Sequence, residues 1–158
     1  LIHGPSNVYR SFLRGVYPKA TPAAVADVVA GKMVRLGTYG DPAAAPLAIW
    51  EHLIAKAEGW TGYTHQWRTI DAGWSRLVMA SADSVADSRE AWLRGYRTFR
   101  VGAVPMTGRE INCPASKEAG ERTQCISCKL CMGSTSKAPV SIQIAPHGAG
   151  ARHYKEAA

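Results

Sequence analysis

The first 112 residues of this 158-residue chain contain no cysteine, and no apolar run approaches the roughly 20 residues that a membrane-spanning helix needs. A helical membrane protein is thereby excluded. A disulfide scaffold is excluded as well, because such scaffolds scatter their cysteines to staple distant segments. The opening LIHGPSNVYR has neither an initiator Met nor a signal-type apolar stretch. The expectation is a chain that begins after truncation or processing and works in the cytoplasm. No G-x-S-x-G elbow and no H-E-x-x-H helix is present. The glycine pairs Gly37 with Gly40 and Gly148 with Gly150 lead into no lysine-bearing phosphate loop.

Acidic side chains are scarce, 12 against 19 Lys and Arg, for a formal net charge of +7. The excess sits at the ends. Residues 1–35 carry Arg10, Arg14, Lys19, Lys32 and Arg35 against Asp27 alone, residues 36–100 are balanced, and residues 101–158 are basic again. Basic ends interleaved with Tyr9, Phe12 and Tyr17 could track a phosphate backbone, although a plainly solvated surface is the leading explanation. Apolar residues at 46% and charged residues at 20% are enough for one packed domain.

Up to about residue 105 the pattern alternates between strand and helix. Thr21 reads as an N-cap with Pro22 at the first helical position, and Val25, Val28 and Val29 share one face of a helix within residues 21–32. Further helices are predicted over 47–58, where Trp50, Leu53, Ile54 and Ala57 make a buried stripe, and from the capping Ser84 to residue 96. Strands are predicted at 33–39, 60–67, 77–81 and 97–104, with a last one at 141–148. The expected class is α/β, a partial (βα) barrel or an open parallel sheet of roughly four to six strands, since a full barrel needs at least about 200 residues. A basic N-terminal segment and helix (1–32) precede a βα core (33–105). A cysteine-rich metal-binding segment (106–158) follows.

All four cysteines fall within that last segment, as Cys113-x11-Cys125-x2-Cys128-x2-Cys131. Thiolates are soft ligands that select zinc or iron–sulfur clusters. Structural zinc usually takes two separated C-x2-C knuckles, whereas three cysteines at successive three-residue steps plus a remote partner suit a cuboidal cluster. A [4Fe–4S] cluster leads, with zinc and a redox or free-thiol arrangement as alternatives. Lys117, Arg122 and Lys129 are expected to depress the thiol pKa values. The segment has few core formers, so metal binding and its folding are expected to be one event.

Polar residues gather where the strands should end. Tyr39 and Asp41 follow the first, His65, Gln66 and Arg68 the second, and Ser81 and Asp83 the third. Ligands of parallel α/β sheets bind at that edge. His65 with Asp41 or Asp83 could form an acid/base pair, and Arg68 could clamp a carboxylate or phosphate, so Asp41, His65 and Arg68 are the catalytic candidates. Tyr39, Gln66, Ser81 and Asp83 are candidates for binding a cofactor or a small-molecule or nucleotide substrate. Asp41 before Pro42 and Asp83 beside Ser84 could instead be helix caps, and His65 a satisfied structural histidine. The rival function is a zinc-stabilised nucleic-acid-binding module.

The ordered set VRLGTYGDP, WTGYTHQWR, LVMASAD, CPAS…CISCKLC and IQIAPHG resembles a group of uncharacterised phage proteins, the actinobacteriophage gene product eighty-eight and its relatives. The resemblance covers most of residues 33–148. It marks Cys113, Cys125, Cys128, Cys131 and His147, with Asp41, Tyr63, Thr64 and Arg68, as family-pattern positions, and it implies the cytoplasm of a phage-infected host. That group carries a further cysteine segment upstream that this chain does not show, and it brings no known reaction. Its likeness to radical S-adenosylmethionine enzymes is analogy at the level of fold.

Overall fold

The fold is that of a computed structural model which describes residues 4–135, 139–149 and 151–155. Helices α1 (Gly4–Leu13) and α2 (Pro22–Val28) lead into β1 (Met33–Arg35), α3 (Leu47–Ile54), β2 (Gly59–Thr61) and β3 (Tyr63–Thr64). Then come β4 (Met79–Ala82), α4 (Val85–Leu93), β5 (Thr98–Val101), β6 (Glu110–Asn112), the single turn α5 (Cys125–Cys128) and β7 (Ser141–Ile144). Every described strand pair is parallel. β1 and β2 make one small sheet, and the other five make a second in the order β3-β4-β5-β7-β6. The expected parallel α/β class is met, with open sheets and no closed ring among the described strands.

Local chemistry accounts for the element starts. Thr21 accepts a hydrogen bond from the Ala24 amide at 3.2 Å, and Ser84 accepts one from the Asp87 amide at 3.0 Å, which satisfies orphan donors of α2 and α4. Three expectations change. The first strand stops at Arg35, because Gly37 takes a left-handed turn (φ +70°). The run expected over 60–67 divides at Gly62, where a Cβ would lie 2.8 Å from Val78 and 3.3 Å from Leu36, so only glycine passes between them. Residues 110–112, expected to lack regular structure, form β6 and pair with β7. The basic N-terminal segment also holds a helix of its own, α1.

One face of the larger sheet packs on helix α4. Ala80 meets Ala91, and Trp67, Trp74, Leu77, Val78 and Tyr96 complete that core with Leu36. Trp50, Leu53 and Ile54 of α3 pack against it, as their spacing predicts. Trp67 is 1% exposed and donates to the Ser81 carbonyl at 3.0 Å, so its ring is a core element rather than a platform for a ligand. Deeper still, Arg100 donates to both carboxylate oxygens of Glu110, at 2.7 Å for the closest contact, with side chains 1% and 0% exposed. This pair locks β5 to the edge strand β6. Strand alternation sends Tyr63, Ser81, Phe99, Val101, Ile142 and Ile144 to the opposite face.

Candidate functional site

That opposite face meets the segment that carries the single turn α5. The segment after β6 runs across it, and a cavity of about 690 Å³ lies between the two. Cys113 caps the carboxyl end of β6, where its amide donates to the Gln143 carbonyl at 2.7 Å. From there the chain reaches α5, and Lys129 takes a left-handed conformation (φ 54°) that turns the backbone from Cys128 toward Cys131. The Cys131 carbonyl then accepts from the Gly62 amide at 3.3 Å, tying the segment to the junction of β2 and β3. Gly133 lies against the Ser75 and Arg76 carbonyls, 2.5 and 2.7 Å from where a Cβ would be, so this close approach also needs glycine.

All four cysteines line the cavity, and all are free thiols. Burial pushes the Cys131 thiol up to about 11; the Tyr63 hydroxyl works against that rise and the other three cysteines add to it. Cys113 is likewise raised, first by burial and then by Cys125 and Cys128, while the amides of Ala115 and Ser116 oppose the shift. The lysine and arginine effect expected from the sequence does not prevail at these two thiols, and Lys129 is paired with Glu58 at 2.6 Å. Among the described residues no three His, Cys, Asp or Glu side chains are drawn together closely enough to hold one metal ion.

The other wall is mostly apolar, with the Tyr63 and Phe99 rings 4.8 Å apart, and its rim carries Arg35, Asp41, His65, Ser81, Asp83 and His147. No family model, curated protein or solved structure matches this chain. The site is therefore read from its own residues.

Of the sequence candidates, Asp41, His65, Ser81 and Asp83 come together with the four cysteines on this cavity. Asp41 and His65 meet, but not as an acid/base pair. The Asp41 carboxylate accepts from the Ala43 amide (2.9 Å), the Thr64 hydroxyl (2.8 Å) and the His65 amide (2.8 Å). Asp41 caps the turn at Pro42–Ala44 and fixes the backbone of His65. The imidazole of His65 and the carboxylate of Asp83 make no hydrogen bond among the described residues, and both residues line the cavity.

Arg68 is a correction. Its guanidinium pairs with Asp87 and, at 2.9 Å, with Glu90 on α4, stacks 3.9 Å over the Trp67 ring, and is not part of the cavity lining. Tyr39, 67% exposed, and Gln66, whose amide donates to Thr64, also lie off the lining. Reasoning from strand ends missed Arg35 and Phe99, which belong to strand positions facing the cavity. Period-2 alternation along β5 was the signal that could have found Phe99.

Proposed function

We propose that Cys113, Cys125, Cys128 and Cys131 hold a [4Fe–4S] cluster and that a small organic molecule binds beside it, against Tyr63 and Phe99. The observation that carries this reading is the shared cavity, lined by all four thiols together with His65, Ser81 and Asp83. A zinc ion takes its sulfurs at about 2.3 Å and so needs them gathered round a point, whereas a cuboidal cluster is held at its outer corners by thiolates set wider apart. The C-x2-C-x2-C run with one remote cysteine is the spacing that suits the larger group.

A cluster with four protein thiolates supplies one-electron transfer. In this chain, Asp41 and Thr64 position His65, and His65 and Asp83 are placed to give or take a proton as the bound molecule gains or loses an electron. An external one-electron carrier would complete the balance. The same cysteines carry the resemblance to the phage proteins, which adds to the reading without naming a substrate.

Protein purified without oxygen and reconstituted with iron and sulfide should be brown, absorb broadly near roughly 400 nm and release acid-labile sulfide. Stoichiometric zinc without sulfide would support the rival zinc module, whose nucleic-acid affinity must then fall steeply with salt. Two disulfides and no metal would end both readings.

A further inference from the structure

A second cavity, of about 610 Å³, opens between helix α4 and the turn that leads into β6, and takes no residue of the cysteine segment. On α4, Arg89, Trp92 and Leu93 stand at i, i+3 and i+4 and share one face of the helix. Met106 and Arg109 of the turn form the other wall. The buried Glu110 carboxylate joins the two walls: it accepts from the Met106 amide at 3.0 Å and from the Ser88 hydroxyl of α4 at 3.4 Å. The Met106 carbonyl closes the turn by accepting from the Arg109 amide at 3.1 Å. Trp92 donates through Nε1 to the Ser141 hydroxyl at 3.0 Å, which fixes its indole, and the Arg109 guanidinium lies 5.5 Å from the ring centre. Arg68, Arg94 and Arg100 nearby are all paired with acids. Arg89 and Arg109 form no ion pair among the described residues, and the cavity lining holds no carboxylate.

We propose that this groove binds single-stranded nucleic acid, with a base stacked against Trp92 and the flanking phosphates held by Arg89 and Arg109. Bases stack on aromatic rings and guanidinium planes whatever their sequence, and a guanidinium fork matches two phosphate oxygens. Two unpaired arginines on either side of one indole supply both contacts. The groove fits a strand better than a free nucleotide: an enclosed small-molecule site buries most of its ligand, whereas Leu93 at this edge is 90% exposed. The chain's net charge of +7 draws a polyanion toward it. Because the Glu110 network holds both walls in place, little ordering is needed when the strand binds.

The test measures the fluorescence anisotropy of a labelled oligothymidylate with the full chain over a series of salt concentrations. It does not rest on the cluster reading, and its outcome leaves iron and sulfide content untouched. Arg89→Gln combined with Arg109→Gln is expected to weaken binding and to reduce the slope of log affinity against log salt by about 1.4, for two lost phosphate contacts. Trp92→Leu is expected to weaken binding roughly tenfold. If Trp92→Leu does not fold, the two exposed arginines decide alone; if it folds and binds like wild type, the stacking site is overturned. Arg10→Gln with Arg14→Gln removes the same charge from α1 and should leave affinity near wild type. Equal weakening by the two pairs would make binding a diffuse attraction to a basic chain and overturn the inference. Thymidine monophosphate bound as tightly as the strand, or a glutamate-rich peptide bound more tightly, would reassign the groove and overturn it too. So would the absence of binding to wild type at low salt.

Discussion

The βα part and the cysteine segment are built on different principles. Residues 33–104 contribute Leu36, Trp67, Trp74, Leu77, Val78, Ala80, Ala91 and Tyr96 to a continuous apolar core. Residues 113–135 supply no large fully buried apolar side chain, and Gly133 and Ser116 are their buried members. Their attachments are polar: the Cys131 carbonyl to Gly62, Leu130 and Gly133 to Arg97, Lys129 to Glu58, and Thr135 to the Arg76 carbonyl at 2.6 Å. A core stabilises its elements by excluding water, and such a segment has little of that to draw on. On the proposed reading, a metal centre would organise the second region and leave the first independent of it.

The strongest way to break this comparison is Cys128→Ala. The account expects near-complete loss of bound iron and sulfide, and loss of protection over 113–135, while helices α3 and α4 persist in far-UV circular dichroism. Collapse of the whole fold would merge the two regions into one unit.

Next in size is the lock between β5 and β6. Glu110→Ala leaves Arg100 buried without its carboxylate, and breaking a buried pair in this way costs about 3–5 kcal/mol. Denaturant unfolding should register that loss in the metal-free protein as well, because the pair belongs to the sheet and not to the cysteine segment. A loss seen only with metal bound would contradict the division.

A smaller effect, confined to the first region, is expected at the start of α4. Ser84→Ala removes the side-chain cap of the Asp87 amide and should cost about 1 kcal/mol without touching metal content. The pH response of the same corner sharpens the point. Burial acts to raise the Asp87 carboxyl, but hydrogen bonds from Arg68, the Asp83 amide and Ser84 outweigh it and hold the group below its ordinary value. A carboxylate depressed on folding stabilises the protein above its unfolded pKa of about 3.9, and the contribution disappears as pH falls through the lower folded value. Asp87→Asn should therefore flatten the acid limb of the stability profile. An unchanged limb would show that the Arg68 pair contributes nothing there.

Much of this was legible in the residues. The caps at Thr21 and Ser84, the stripe Trp50–Leu53–Ile54 and the parallel alternation follow from local spacing, which is set within one turn or one strand. The gathering of Asp41, His65, Ser81 and Asp83 with the cysteines followed from parallel strands ending on one edge. Arg68 did not, because its neighbours Asp87 and Glu90 lie on α4, and a pairing across twenty residues has no local signal. β6 escaped for a related reason: three residues, EIN, carry no period, and their strand state comes from β7 beside them.

The central claim is that the cysteine segment is ordered by the proposed metal centre and the βα part by its core. Amide hydrogen exchange of the full chain, with the centre reconstituted and after its removal, tests it most directly. The account predicts that residues 113–135 lose protection when the centre is removed, while β4, β5 and α4 keep theirs. Equal protection of 113–135 in the two states would contradict it.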